Sequence, residues 1–271
     1  MRGPANQIKM SDATSLAMAF GGGALIGGLG GLIGLGGAEF RLPLLISVFA
    51  FSGLEAVILN KAMSLIVVAF ALPFRSSSVP FGEVAGNWPA IINLLTGSLL
   101  GAWLGAGWAT RLSHKELYRV IAVLLVLIAI ALVFGHNAAN AAPALTGVAQ
   151  MLTGVVAGFA IGVVASLLGV AGGELLIPTL VLLFGADIKL AGSLSLAVSL
   201  PTMIVAFTRY SRDRSFAVMR NNRRFVLAMA TGSIAGSFIG GQMLGFVPSS
   251  MLLPLLATIL VVSAVKVWRH Q

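Results

Sequence analysis

Long runs of apolar residues, separated by short polar stretches, dominate the chain from end to end. In the first half the runs cover residues 16–35, 42–51, 57–74, 88–109 and 117–134. In the second half they cover residues 148–170, 175–184, 190–207, 225–246 and 251–267. A helix needs about 20 apolar residues to cross a hydrocarbon core of about 30 Å. The pattern therefore predicts an all-α integral membrane protein with several spans.

The second run of each half is too short to cross a membrane comfortably. Both runs, 42–51 and 175–184, follow a Gly-rich stretch and contain a proline, Pro43 in the first and Pro178 in the second. Non-helical backbone is tolerated at membrane depth only where protein shields it or where it lines a wet cavity. The two segments are therefore predicted to be broken or re-entrant helices, with the prolines as helix-breaking positions.

The two halves match each other without gaps at a fixed offset of 135 residues. The matched pairs include residue types that apolar low complexity would not align: Glu39 with Glu174, Pro43 with Pro178, Phe81 with Phe216, and Asn87 with Asn222. The sequence thus predicts two membrane repeats, 12–135 and 147–269, that together form one transport domain. Because each repeat has five elements, an odd number, the second repeat is predicted to have the inverted topology.

The distribution of charge agrees with an inverted second repeat. The stretch 209–224 carries six arginines against one aspartate, whereas its equivalent, 75–87, carries only Arg75 and one glutamate. Conversely, 111–119 is basic and its equivalent, 248–250, has no charge. Cytoplasmic loops of membrane proteins are enriched in lysine and arginine. We therefore expect a multi-pass protein of the cell inner (plasma) membrane with both termini in the cytoplasm.

Composition excludes several classes of function. The chain of 271 residues is 58% hydrophobic and only 9% charged, which does not fit a soluble domain. It has no cysteine, and His114, His136 and His270 lie far apart in the sequence, so no metal site and no cofactor are predicted. The basic residues behind the net charge of +9 lie mostly between apolar runs, where they set topology, and do not predict binding of nucleic acid.

Two matched glycine-rich segments, 34–43 and 169–178, form the candidate substrate site. Glycines ahead of a short helix free main-chain N–H groups at a helix N-terminus, where the helix dipole favours an anion. The candidate binding residues in these segments are Gly36, Gly37, Ala38, Ala171, Gly172 and Gly173. The alternative is that the glycines only allow close helix packing. Because the pattern recurs in both halves, we favour an anion site where the two segments meet.

Glu39 and Glu174 occupy equivalent positions directly after the glycines, in otherwise apolar surroundings. An ionised carboxyl group is costly there, so each one is expected to be neutralised, paired or functional. One interpretation is that the two carboxyl groups take up and release the protons that drive transport. The other is that each caps the start of its short helix, and the sequence does not distinguish the two.

Further polar residues near the two segments have both a functional and a structural interpretation. Arg41 and Lys61 either offer positive charge to an anion or extend their charged ends to the membrane interface, and for Arg41 a pair with Glu39 is a further alternative. Position 176, the equivalent of Arg41, is leucine, so a role for this arginine would break the symmetry of the repeat. The third elements begin with an amide and several hydroxyl residues, Asn60, Ser64, Ser195 and Ser199. These polar groups either line a substrate path or stabilise helix contacts.

At these residues the sequence resembles the sulfite exporter TauE/SafE family, also called the toluenesulfonate uptake permease family. The resemblance rests on the two glycine-rich segments ending in proline, each followed by a serine-containing apolar helix, and covers essentially the whole chain. The segment 171–178 is the closer match, whereas Ala38 and Arg41 depart from the usual pattern in the first copy. The resemblance implies proton-coupled secondary transport of sulfur oxyanions or organic sulfonates. The absence of cysteine separates the chain from thiosulfate-transporting relatives.

The working hypothesis is a secondary transporter, not an enzyme, that exports a small anion by alternating access around a central site. Its expected partners are the anion, protons and membrane lipids, and assembly as a homodimer is left open. An anion channel with a re-entrant-helix selectivity filter is the alternative, because paired short helices also build filters. An intramembrane enzyme would need a nucleophile with a base, or a cluster of metal ligands, and the sequence presents neither.

Overall fold

The computed structural model describes residues 12–113 and 145–246, together with the single positions 116, 119, 123 and 248. The predicted fifth runs, 117–134 and 251–267, lie outside the described residues apart from two single positions. Within the described part of the chain, all regular secondary structure is helical, as the apolar pattern predicts.

The helices of the first half are α1 (Asp12–Ile33), α2 (Ala38–Ser47), α3 (Gly53–Phe74), α4 (Phe81–Gly86) and α5 (Trp88–Ala109). Those of the second half are α6 (Gly147–Leu168), α7 (Gly173–Phe184), α8 (Ile188–Tyr210), a 3-10 turn (Arg214–Phe216), α9 (Ala217–Asn221) and α10 (Arg223–Met243). Six of the described helices, α1, α3, α5, α6, α8 and α10, are long and apolar enough to cross a membrane. The prediction of a helical membrane protein with several spans is confirmed, and α2 and α7 are too short to span, with 10 and 12 residues.

The short helices α2 and α7 begin before the predicted apolar runs and contain their prolines. α2 begins at Ala38, because alanine, glutamate and arginine favour a helix once Gly37 has turned the chain at a φ of 64°. Pro43 and Pro178 lie inside α2 and α7, and both helices continue beyond them. The interruptions between helices lie instead at the glycines that precede α2 and α7, so the structure places the breaks at glycine rather than at proline.

The predicted loops 75–87 and 209–224 contain short helices that the apolar pattern does not reveal. In the first loop, Pro80 occupies the N-cap of α4 and Glu83 lies in its first turn, where a carboxylate complements the helix dipole. In the second loop, Asp213 accepts a main-chain hydrogen bond of 2.8 Å at the start of the 3-10 turn. Local capping residues, rather than hydrophobic periodicity, therefore order these connections.

After each first long helix the chain turns back along that helix. Gly34 has a φ of 88° and turns the chain. The returning segment packs against α1, since a Cβ added to Gly37 would lie 2.6 Å from the carbonyl oxygen of Ile26. The path after α6 is the same, since a Cβ on Gly172 would lie 3.1 Å from Cγ2 of Ile161. The helices α2 and α7 therefore start beside Ile26 and Ile161, about two turns before the ends of the long helices that precede them.

Rows of glycine join helices that come from different halves. α1 packs along α10, and α5 packs along α6. An added Cβ would collide with the backbone of the partner helix at Gly97, Gly101, Gly105, Gly232, Gly236 and Gly240. The first three glycines and the last three are equivalent at the offset of 135, and so are the residues that they touch. Small residues at this spacing let membrane helices approach closely, so the same contact joins the halves twice.

Gly101→Leu is expected to destabilise the protein by about 3 kcal/mol, because its side chain would overlap the main-chain carbonyl of Phe159 in α6. Thermal unfolding of the purified protein in detergent measures the loss. Gly21→Leu is the matched control, since no atom lies within 4 Å of a Cβ at that glycine. An unfolding temperature that is the same in both variants would contradict close packing of α5 on α6.

Candidate anion site

The two glycine-rich segments meet inside the protein. A Cβ on Gly36 would lie 2.7 Å from the Cβ of Ala171 and 3.2 Å from the Cβ of Ser64. Gly36 and Ala171 are equivalent positions of the two halves, and both are buried. A second contact lies beside the first, since a Cβ on Gly173 would lie 2.7 Å from Cδ2 of Leu35. The starts of α2 and α7 are therefore close together, as the sequence pattern predicts.

Several main-chain N–H groups at this meeting point have no hydrogen-bond acceptor among the described residues. The N–H of Leu35 donates to the carbonyl of Gly30 at 2.9 Å, and the N–H of Val170 donates to the carbonyl of Ala165 at 2.9 Å. In the described part of the chain, no hydrogen bond uses the N–H groups of the next two residues in each segment, Gly36, Gly37, Ala171 and Gly172. Buried N–H groups without a partner are rare in native proteins. With the N-terminal dipoles of α2 and α7 behind them, these groups favour an anion.

Arg41 places a positive charge beside the meeting point. It lies in the first turn of α2, is fully buried, and donates from Nη1 to Oγ of Ser64 at 3.1 Å. Ser64 in turn lies against Gly36. Arg41 therefore does not extend to the membrane interface. Its equivalent, Leu176, is apolar, so the charge comes from the first half alone.

Lys61 is also fully buried, but its ammonium group is already bonded. Nζ donates to the carbonyl oxygens of Ala165 at 3.0 Å and Val170 at 2.6 Å, at the end of α6. The neighbouring Asn60 donates from Nδ2 to the carbonyl of Leu168 at 3.3 Å. The two side chains therefore hold the second glycine segment in place. An anion would have to compete with two main-chain carbonyls for the lysine.

Ser195 and Ser199 bond directly to the glycine segments. Oγ of Ser195 donates to the carbonyl of Gly34 at 2.8 Å, and Oγ of Ser199 donates to the carbonyl of Ala171 at 2.7 Å. Ser195 is the equivalent of Asn60, and each of them reaches the helix end of the opposite half. These hydroxyls position the two segments, which corresponds to the structural interpretation of the polar residues.

Glu174 is a buried acidic residue at the start of α7. Its side chain is fully buried, and neither carboxyl oxygen has a hydrogen-bond partner within the described residues. The N-cap is Gly172 and receives no side-chain cap, so Glu174 does not form the expected capping bond. A buried carboxyl group without partners is costly, which makes Glu174 a candidate for function. Glu39 is its equivalent in α2, and the side chain of Glu39 lies outside the described part of the structure.

The charge pattern places Arg75 in a loop, but the side chain is fully buried. Nε donates to Oγ of Ser193 at 3.1 Å, Nη1 to the carbonyls of Gly31 at 3.0 Å and Leu32 at 2.9 Å, and Nη2 to the carbonyl of Lys189 at 2.9 Å. Burial lowers the pKa of Arg75 to about 10, so the guanidinium remains charged at neutral pH. The sequence signal for this buried arginine is its isolation, since the connection 75–87 contains only one other charged residue.

A family model of the sulfite exporter TauE/SafE matches residues 19–267 of the chain. The chain belongs to the TauE/SafE family. This family consists of membrane transporters for sulfite and related sulfur anions, and the six span-length apolar helices agree with a membrane location. No curated protein and no solved structure gives a match to the chain.

In this TauE/SafE protein the candidate site is asymmetric in charge. The first half contributes the buried cations Arg41 and Lys61, and the equivalent positions of the second half are Leu176 and Leu196. Both halves have a glutamate here, and the carboxyl group of Glu174 has no hydrogen-bond partner among the described residues. The backbone is therefore nearly the same on both sides of the meeting point, whereas the side-chain chemistry differs.

Proposed function

We propose that the protein exports small anions, namely sulfite or organosulfonate-type sulfur oxyanions, as a proton-coupled secondary transporter that works by alternating access. One observation carries this proposal: the starts of α2 and α7 meet beside the buried guanidinium of Arg41, with N–H groups that have no acceptor among the described residues. A sulfur oxyanion has several acceptor oxygens, which a cluster of main-chain donors and one arginine can hold. Membership of the TauE/SafE family supports the choice of sulfur anions.

We infer that residues 12–135 and 147–269 are inverted repeats, each with a short broken helix at its centre. Contacts that recur at the offset of 135 support this inference. So does Arg75, which follows the end of α3 and bonds to residues at the start of α8. The equivalent helices α3 and α8 thus run in opposite directions. With the arginine-rich stretch 209–224 in the cytoplasm, this topology places both termini on the cytoplasmic side of the inner membrane.

Burial of the candidate site favours alternating access over an open pore. Gly36, Arg41, Ser64, Ala171 and Glu174 are all buried. An anion can reach them only when the surrounding helices separate. In inverted-repeat transporters such separation alternates between the two sides of the membrane, whereas a selectivity filter is reached through a continuous path.

The proposal is tested by flux into proteoliposomes that contain the purified protein. We expect labelled sulfite to accumulate against its concentration gradient when a pH gradient is imposed, and to stop accumulating when a protonophore collapses that gradient. Flux at channel rates that only follows the sulfite gradient would support the anion channel instead. Absence of flux for sulfite, sulfate and simple sulfonates would contradict transport of sulfur oxyanions.

Glu174→Gln is expected to uncouple transport from protons, because the amide keeps the size of the side chain but cannot exchange a proton. Downhill sulfite exchange should continue, while accumulation driven by a pH gradient should disappear. Glu83→Gln is the matched control, since Glu83 is exposed in α4 and distant in sequence from the site. Accumulation in Glu174→Gln with an unchanged pH dependence would show that Glu174 is not the proton site.

A further inference from the structure

Arg75 and Tyr210 occupy equivalent positions at the ends of α3 and α8, and both side chains are fully buried. Each one reaches the last turns of the first long helix of its own half. Nη1 of Arg75 donates to the carbonyl of Gly31, and Oη of Tyr210 donates to the carbonyl of Ser166 at 2.6 Å. Gly31 and Ser166 are themselves equivalent. The two side chains therefore make the same contact at opposite ends of the molecule.

The two contacts differ in what else they hold. Arg75 also donates to Lys189 and Ser193 at the start of α8, so it ties the first half to the second. Tyr210 has a single hydroxyl, and its hydrogen bond stays within the second half. The equivalent of Ser193 is Ile58, which has no polar side chain to accept a hydrogen bond. We call the hydrogen bonds of Arg75 to α1 and α8 the guanidinium clamp. Within the described residues, the clamp has no copy at the Tyr210 end.

The clamp is well matched to the groups that it holds. The last carbonyls of a helix lack donors within the helix and carry the negative end of its dipole. At the end of α1 the N–H groups of Gly34 and Leu35 both donate to the carbonyl of Gly30. The carbonyls of Gly31 and Leu32 accept hydrogen bonds from Arg75 instead. Charged hydrogen bonds in a buried site are stronger than neutral ones. Separating α1 and α3 from α8 would break the hydrogen bonds of Arg75 to Ser193 and Lys189 and leave those to Gly31 and Leu32 in place.

We propose that Arg75 is a latch that keeps one end of the transporter closed, the end where α3 finishes and α8 begins. This inference rests on the proposed alternating access, because a latch has a role only where that end opens. Ser64, beside the candidate site, lies eleven residues before Arg75, which corresponds to about 16 Å along a helix. Arg75 therefore acts on access to the site and not on the anion itself. In the described part of the chain, the Tyr210 end has no equivalent of this latch.

Cysteine accessibility tests the latch directly, since the chain has no native cysteine. Ile33→Cys reports on the Arg75 end, because the carbonyl of Ile33 lies 2.7 Å from a Cβ on Gly192, which in turn is close to Arg75. Leu168→Cys is the equivalent reporter at the other end. Both native side chains are buried. A cationic methanethiosulfonate reagent is applied to protein in lipid nanodiscs, where both faces are accessible and no assumption about topology is needed.

Arg75→Gln, combined with Ile33→Cys, is expected to raise the rate at which the introduced thiol reacts about tenfold or more. The loss of one charged hydrogen bond changes an equilibrium by about this factor. The reaction of the Leu168→Cys reporter should not change. Tyr210→Phe is the matched control, because it removes a buried hydrogen bond to the equivalent carbonyl without separating the halves. It should leave the Ile33→Cys reporter unchanged. An unchanged rate at that reporter in Arg75→Gln, or an equal rise in both variants, would overturn the proposal.

Two further measurements distinguish opening at the Arg75 end from unfolding of the variant protein. Leu94→Cys lies in the buried contact of α5 with α6 and should stay unreactive, so labelling there would show unfolding rather than opening. Ser193→Ala removes only one acceptor of the clamp and should raise the rate at the Ile33→Cys reporter less, in the same direction. If Arg75→Gln does not fold, an unchanged rate in Ser193→Ala overturns the latch. Because labelling needs no substrate, failure of the latch is separate from failure of sulfite transport.

Discussion

Proteoliposomes that contain the Gly36→Val variant are expected to take up sulfite at a rate about tenfold or more below that of the parent protein. A Cβ at this position would lie 2.7 Å from the Cβ of Ala171, so a valine must push the starts of α2 and α7 apart. The N–H groups of Gly36 and Ala171 would then lie farther apart. Initial rates of labelled sulfite uptake, normalised to the amount of reconstituted protein, measure the effect.

Gly21→Val is the matched control for this variant. It adds the same side chain to α1, at a glycine where a Cβ would meet no atom within 4 Å. Its sulfite uptake should equal that of the parent protein. If Gly36→Val also transports sulfite at the parent rate, the contact between the two glycine segments is not part of the substrate site.

Arg41→Leu is expected to reduce sulfite transport about a hundredfold, because loss of one member of a buried charge pair costs several kcal/mol. The change reproduces the residue that the second half has at the equivalent position, Leu176. Arg41 is fully buried next to the meeting point, and α2 contains no other basic residue that could replace it. Sulfite flux, together with the shift of unfolding temperature that sulfite produces, measures transport and binding separately.

Ser64→Ala and Leu176→Met separate the contribution of charge from that of packing. Ser64→Ala removes the hydroxyl that accepts from Arg41 and keeps the charge, so its effect on flux should be smaller than that of Arg41→Leu. Leu176→Met alters packing at the equivalent position and should leave flux nearly unchanged. Arg41→Leu protein that folds normally and still shows the full sulfite-dependent stabilisation would contradict a role for Arg41 in anion binding.

The positions of the spans could be predicted from the sequence because the bilayer demands long apolar helices. The run 88–109 coincides with α5, and the paired glycine rows at the offset of 135 pack as interfaces between the halves. The start of α2 was misplaced because Glu39 and Arg41 interrupt the apolar pattern although they lie within the helix. The pattern of apolar residues identifies helices that face lipid. It does not identify a helical residue that is charged and buried inside the protein.

The side-chain contacts of the candidate site were the part that the sequence could not supply. For Lys61 the sequence allows either contact with an anion or extension to the membrane interface. In the structure its ammonium group bonds to the end of α6, a segment about 100 residues away in the chain. The sequence predicts a loop position for Arg75, because a single arginine after an apolar run usually faces water or lipid headgroups. Its burial depends on carbonyls that α1 leaves unbonded and on the start of α8, which only the tertiary structure brings together.

The difference between the halves is therefore a matter of side chains on a nearly common backbone. Arg41, Lys61 and Arg75 are buried cations of the first half, and their equivalents are Leu176, Leu196 and Tyr210. In our account Arg41 attracts the anion, Lys61 holds the opposite glycine segment, and Arg75 controls access. Because the second half has no copies of these groups, the proposed alternating access implies two directions of opening that differ in energy.

The position of a bound selenium oxyanion would show whether the two glycine segments form the anion site. Selenite is a heavier analogue of sulfite, and a chain without cysteine has no thiol with which it reacts. In crystals of the protein grown with selenite, we predict an anomalous selenium peak within hydrogen-bonding distance of the N–H groups of Gly36 and Ala171, close to the guanidinium of Arg41. A peak only at the arginines of 209–224, with the two glycine segments free of anion, would contradict the account.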